Sequence, residues 1–361
     1  MQRCVVSMNT LSADAFFTAL SAKARRLRTP ESVTIELSYG CNLRCLHCYN
    51  PTHRMLPHEL SNEEIFSILD QLADLGIVHL HFSGGEPLVR PGAFEIFQRA
   101  KRLGFLLHLL TNATRITPPL ADALEQLEFE HINVSLYGAT KATYERVTGI
   151  TGSFEPFLRG LRCLASRKLS VIVRMAVMTE NVGEVRDAQA LVEDLGFKFQ
   201  YCLDINPRSD GNPGPLAYRL SPLEKVRMNR MMRGSRYELV LQERCAPSQR
   251  FIACACGRSQ FAITPYGEMN LCIAFPTPRY DLRKGTVREG WEVLKRTVDQ
   301  AKPNEQYECP TCDVRSHCRQ GRNDAWLETG DISVCLPHYK EFATLEAKSQ
   351  YATPHRLPSE L

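Results

Sequence analysis

The sequence predicts an α/β fold, a partial (β/α)6 barrel followed by a small cysteine-rich domain. Three observations lead there. Short β-branched runs alternate with amphipathic helical patterns from about residue 31 to about residue 210. Inside those runs apolar and polar residues alternate with period two. Finally, eight of the 14 cysteines fall between Cys245 and Cys335.

An N-terminal helical segment, 1–30, comes first and contains the basic run "KARRLR" (Lys23 to Arg28), read as a solvated helix face rather than an anion site. "SVTIELS" (Ser32 to Ser38) is the first strand. "SNEEIFSILDQLADLG" is a helix with Ser61 and Glu64 as capping box and Gly76 as its stop. Strands follow in "VHLHFSG", "FLLHLLTN", "INVSLYG", "VIVRMAVM" and "FKFQYCLDI", with helical patterns between them. Six repeats with short connections imply a parallel sheet covered by helices, of the TIM type. The barrel is placed at 31–210, a helical linker at 211–244, the cysteine-rich domain at 245–340 and a tail at 341–361.

The alternation assigns the faces. Val33, Ile35 and Leu37 oppose Thr34, Glu36 and Ser38; Val78, Leu80 and Phe82 oppose His79, His81 and Ser83; Ile132, Val134 and Leu136 oppose Asn133, Ser135 and Tyr137. A parallel strand under helices keeps its helix side apolar, so the polar side points inward. Closed barrels fill that space with Val, Ile and Leu. A polar lumen therefore indicates an open barrel holding a polar ligand.

Charged residues at 23% and a net charge of +4 are ordinary and give no reason to expect nucleic acid. No apolar run is long enough for a membrane span, and the N-terminus lacks a cleavable signal. A cytoplasmic location is expected. There, disulfides are rare, so so many cysteines point to metal or cluster ligation. Cys4, Cys163 and Cys202 stand apart and read as plain buried thiols.

"CNLRCLHCYN" supplies Cys41, Cys45 and Cys48 directly after the first strand, at the rim where such folds place their chemistry. Three cysteines need a fourth ligand from elsewhere or leave one metal position open. "SGGEP" (Ser83 to Pro87) ends the second strand with two glycines that let a ligand approach and with Glu86, an acceptor for an amine. Ser135 and Arg174 lie on the fourth and fifth strands, the arginine being a natural partner for a carboxylate.

The cysteine triplet followed by "SGGEP" resembles the radical SAM superfamily. The resemblance implies that Cys41, Cys45 and Cys48 hold three irons of a [4Fe–4S] cluster, the fourth iron being left for S-adenosylmethionine. It implies that Gly84, Gly85 and Glu86 hold the methionine amine, that Ser135 and Arg174 face the ribose and carboxylate, and that His47 and Tyr49 lie near the adenine. "TNAT" is similar to the family's "TNGT", with Asn112 as a contact and Ala113 in place of glycine.

"CACGRSQFAITPYGEMNLC" (Cys254 to Cys272), "CPTCDVRSHC" (Cys309, Cys312, Cys318) and Cys335 resemble the SPASM extension of radical SAM enzymes, a SPASM/twitch-like domain with two auxiliary [4Fe–4S] clusters on seven cysteines. The set Cys309, Cys312, Cys318 and Cys335 is complete. The other retains Cys254 and Cys272, with Cys256 and Cys245 as spares, because Arg322 stands where the family has its closing cysteine. One or two auxiliary clusters are thus expected; the alternative for Cys309 to Cys335 is a structural zinc knuckle.

The resemblance implies an oxidoreductase that makes a 5′-deoxyadenosyl radical and abstracts hydrogen from a ribosomally made peptide or protein, to form a cross-link, a thioether or a double bond. A flavodoxin- or ferredoxin-like donor would supply the electron. About thirty residues before the first strand are too few for an appended peptide-binding domain, so a separate recognition protein is expected. The alternatives are a small-molecule or tetrapyrrole substrate and, outside enzymes, a zinc-bound scaffold.

Overall fold

Six strands appear in the expected order: β1 (Ser32–Glu36), β2 (His79–Ser83), β3 (Leu106–Thr111), β4 (His131–Leu136), β5 (Val171–Ala176) and β6 (Lys198–Cys202). They come from a computed structural model that describes residues 12–232 and 251–351. Each pairs in parallel with the next, and at least one helix lies between every two. Cys4 and Cys245 lie outside the described residues.

The two faces separate as the periodicity requires. Val33, Ile35, Leu80, Phe82, Leu107, Leu109, Val134 and Val173 are all within the buried core, each 0–1% exposed. Burial of one such side chain is worth about 1.5–3 kcal/mol, which pins the strand register: a slip by one residue would turn Glu36 and His81 into that core. The helix Asn62–Asp74 presents Ile65, Ile68, Leu69 and Leu72 to the sheet, and its capping box forms, Ser61 Oγ accepting from Glu64 N and Glu64 Oε2 accepting from Ser61 N.

The opposite face carries imidazoles. His81 pairs with His108 and His108 with His131 in the strand register. The His81 and His108 rings stack at 4.2 Å between centroids, and His79 Nδ1 lies 3.1 Å from His108 Nε2. Burial holds His81 down to about 4 and His108 lower still, so the stacked pair is polar yet uncharged at neutral pH.

Beyond β1 the sheet continues. β7 (Gln260–Ile263) pairs with β1 in parallel, and β8 (Glu268–Asn270) and β9 (Tyr280–Asp281) extend it antiparallel, giving the order β6-β5-β4-β3-β2-β1-β7-β8-β9. The sheet thus runs on into the cysteine-rich region. The helix Ala13–Leu27 ends against that region too: Arg28 donates to Asp299 Oδ1 at 2.5 Å and to Gly257 O at 3.0 Å, and Trp291 Nε1 donates to Arg28 O. The last member of the basic run is therefore a structural tie. At the other edge Arg219 donates to Ile205 O, just past β6, and to Glu328 Oε1 at 2.7 Å, on the helix Arg322–Thr329. The helix Pro337–Tyr351 packs on the helix Pro222–Met232 and runs through the boundary expected at 340. Among the described residues no helix is long and apolar enough to cross a membrane.

Candidate active site at the barrel rim

The loop after β1 carries Cys41, Cys45 and Cys48 and is anchored from outside itself. Arg44 N donates to Thr148 O and Leu46 N to Val147 O, at the end of the helix Lys141–Thr148, while Cys41 N donates to His53 O. The three sulfurs are thereby held near one another. Burial raises all three thiol pKa values, that of Cys48 to about 11, and the neighbouring sulfurs add to the rise at Cys45 and Cys48. Leu43 N donates to Cys41 Sγ at 3.4 Å and Asn112 Nδ2 approaches it at 3.9 Å. A bare set of this kind is protonated at neutral pH; binding a metal centre must expel those protons, so affinity falls as pH falls.

The "SGGEP" turn packs on the same loop. Gly84 has φ +122°, and a Cβ there would lie 2.4 Å from Ser38 O; a Cβ on Gly85 would lie 2.2 Å from Gly40 O. The closest approach at these glycines is thus made by the chain's own backbone, with Gly85 N donating to Ser38 O and Glu86 N to Gly40 O. Glu86 is 1% exposed. Its carboxylate accepts from Thr111 Oγ1 (2.7 Å), Asn112 N (2.6 Å) and Leu88 N (3.1 Å), which ties β2 to β3. Burial raises Glu86 to about 7, against the pull of these donors.

Asn112 donates to Asn42 Oδ1 at 3.0 Å, and Asn42 donates to Thr114 Oγ1 at 2.7 Å, so "TNAT" and "CNLRC" form one network. Ala113 has φ +59°, the left-handed conformation that glycine serves best, and so keeps the turn in spite of its methyl group.

Ser135 and Arg174 are register partners on β4 and β5. β5 lies between β4 and β6, so Arg174 is not on an edge. Its Nε donates to Gln200 Oε1 at 2.8 Å, and the side chain is exposed on the polar face. Tyr49 donates to Glu36 Oε1 (2.7 Å), which brings that buried acid of β1 into the site; burial raises Glu36 to about 7. His47 packs on Tyr137, ring centroids 5.2 Å apart, and its buried Nδ1 has no partner among the described residues.

Three residues escaped the sequence reading as parts of the site. Tyr137, buried against the His47 ring, helps to hold down the Cys45 thiol pKa against burial. The strand periodicity places Glu36 on the inner face and gives it no partner. Arg208, in the loop after β6, lends positive charge to Cys48, and Ser209 N in that loop donates to Tyr49 O. The available signal was position: each lies on the inner face or just past the carboxyl end of a strand.

The C-terminal cysteines gather in two places. Cys254, Cys256 and Cys272 interact through their thiols in series, Cys254 with Cys256 and Cys256 with Cys272. Cys256 and Cys272 also line a cavity of about 210 Å³ with Thr34, His81 and Gln260, on the polar face of the barrel. Cys318 feels the charge of Cys309 and Cys312, and Cys335 that of Cys318 and Cys309, so those four form a second group. Among the described residues no three His, Cys, Asp or Glu side chains close around a single metal ion.

Residues 35–192 match the model of the radical SAM superfamily. The chain carries a radical SAM domain. AdoMet-dependent heme synthase of Methanosarcina barkeri is 27% identical over 84% of this chain and 94% of its own length. Mycofactocin maturase MftC of Mycobacterium tuberculosis is 26% identical over 85% of this chain and 81% of its own. The fold matches the crystal structure of Streptococcus suis SuiB bound to S-adenosylmethionine with a TM-score of 0.70 at 13% identity, covering 91% of this chain and 83% of that one.

The protein is a radical SAM enzyme, with a [4Fe–4S] cluster and S-adenosylmethionine as its cofactors. Its rim suits such a pair. Three soft thiols whose pKa values are raised chiefly by burial call for a cationic centre, and His47 Nδ1, without a partner among the described residues, and the exposed Arg174 can meet a polar ligand. When bound, the pair supplies a 5′-deoxyadenosyl radical from reductive cleavage of S-adenosylmethionine.

Proposed function

We propose that this enzyme oxidises a ribosomally made peptide or protein, forming a cross-link, a thioether or a double bond. In this reading Cys41, Cys45 and Cys48 ligate the core cluster. Gly84, Gly85 and Glu86 shape the methionine end of the cosubstrate site, with Asn112 beside them. Ser135 and Arg174 face its ribose and carboxylate, and His47 and Tyr49 its adenine. Cys254, Cys256 and Cys272 belong to one auxiliary centre and Cys309, Cys312, Cys318 and Cys335 to another, as in a SPASM domain. Residues 31–210 then serve as the barrel and 245–340 as the auxiliary region.

The observation that carries the reading is the cavity on which Cys256 and Cys272 open from the lumen side. A substrate radical formed at the rim must lose one electron to complete a two-electron oxidation, and a cluster at these thiols, reached through the lumen, would receive it. Peptide substrates are favoured by the likeness to a maturase over most of both chains. The test is co-expression with short peptides encoded beside the enzyme. Mass spectrometry should show a peptide lighter by two hydrogens, and only when the core cysteines are intact. A tetrapyrrole is the second reading, favoured by the match to the heme synthase. Turnover of a tetrapyrrole, with every neighbouring peptide left unmodified, would decide for it.

Arg174 gives a sharper test of the cosubstrate site. A charge-assisted hydrogen bond is worth about 1.5–3 kcal/mol. Arg174→Leu is therefore expected to weaken binding of S-adenosylmethionine at least several-fold in equilibrium dialysis, with the melting temperature little changed because the side chain is exposed. Unchanged affinity would remove Arg174 from the carboxylate.

A further inference from the structure

Arg322 occupies the position where the SPASM pattern has a cysteine, and its surroundings give it different work. It begins the helix Arg322–Thr329. One terminal nitrogen, Nη1, donates to Ile332 O at 3.0 Å. The other, Nη2, points at Cys309 Sγ, 3.6 Å away. The guanidinium carbon lies 5.3 Å from the Tyr307 ring centre and 5.8 Å from that of Phe251. Those two rings meet edge to face at 4.9 Å. A carbonyl and two aromatic faces thus fix the fork, leaving one donor aimed at one sulfur.

Phe251, one of the two rings on the guanidinium, is three residues before Cys254 in sequence.

We propose that Arg322 is a positioning residue that raises the reduction potential of the centre held by Cys309, Cys312, Cys318 and Cys335, acting through the Cys309 sulfur. The proposal rests on the reading of those four cysteines as cluster ligands. Reduction adds one electron, and hence one negative charge, to a cluster and its thiolates. A permanent cation and an N–H donor at a ligating sulfur favour the more negative state. Arginine cannot ligate iron, so the exchange of cysteine for arginine trades a ligand of one auxiliary centre for a tuning contact on the other. The second centre thereby becomes the better resting place for an electron.

The test is a dithionite titration of the anaerobically reconstituted full chain, followed by electron paramagnetic resonance alongside iron analysis. Arg322→Gln is expected to retain the iron and to shift the midpoint of one signal to more negative potential. The shift should match at least a tenfold change in the reduction equilibrium, about 59 mV for one electron. Arg322→Lys keeps the charge without the fork and should shift that signal less, in the same direction. Iron retained with unshifted midpoints overturns the proposal. Should the glutamine variant lose its iron, Arg322→Met, which also removes the charge, decides, and an unshifted midpoint there overturns the proposal equally. Cys309→Ala is the control for the underlying reading. If it leaves iron content and every signal unchanged, that group is not a cluster site, and both the reading and the proposal fall.

Discussion

Changing Cys41, Cys45 and Cys48 together to alanine is expected to abolish formation of 5′-deoxyadenosine while leaving a folded protein. The fold should survive because the loop is held by its backbone, through Arg44 N to Thr148 O, Leu46 N to Val147 O and Cys41 N to His53 O. Alanine at each position removes a sulfur and adds no volume, and the Leu43 side chain beside them stays in the core at 1% exposure. The chemistry should not survive. Glu36 and Glu86 are each engaged by protein donors, and neither is a soft ligand able to replace a thiolate. Anaerobic assays with dithionite and S-adenosylmethionine, read by chromatography, give the answer, with circular dichroism as the control for folding. Cleavage by a folded triple variant would show that the reactive cluster is held elsewhere.

The core of the fold was legible because its signal is local. Period-two alternation in "SVTIELS" and "INVSLYG" is produced by the pleat itself, and the capping box at Ser61 and Glu64 is contained within four residues. The continuation of the sheet was not legible. β7 is four residues long, and its partner β1 lies more than 200 residues away in sequence, so nothing local reports the pairing. The site divides on the same principle. Spacing and strand position mark Cys41, Cys45, Cys48 and Arg174. What Glu86 does depends on Thr111 and Asn112 across the sheet, and what Arg208 does depends on a loop folding back toward Cys48. An acid at a strand end reads as a ligand contact. Only the fold reveals that its oxygens are taken by three donors of the chain.

That distinction also decides between the two spare cysteines of the first auxiliary set. Cys256→Ala is expected to cost the enzyme about one cluster, some four irons per chain, while formation of 5′-deoxyadenosine continues. Cys256 stands in the middle of its group: its thiol contacts Cys254 on one side and Cys272 on the other. It also lines the lumen cavity together with Cys272. Removing it therefore separates the two remaining sulfurs. The core triplet lies past the carboxyl end of β1, whereas the cavity is lined by Ser32 and Thr34, the first and middle residues of that strand, so the two sites can lose iron independently. Cleavage of S-adenosylmethionine should become uncoupled from product, with deoxyadenosine still formed and the substrate no longer oxidised. Cys245→Ala, outside the described residues, is the comparison. If it alone removes the iron, Cys245 is the recruited ligand and Cys256 a bystander. If neither change alters iron content or the spectroscopic signal, no spare is recruited. A cluster with an open iron then remains only if an added thiol shifts its signal.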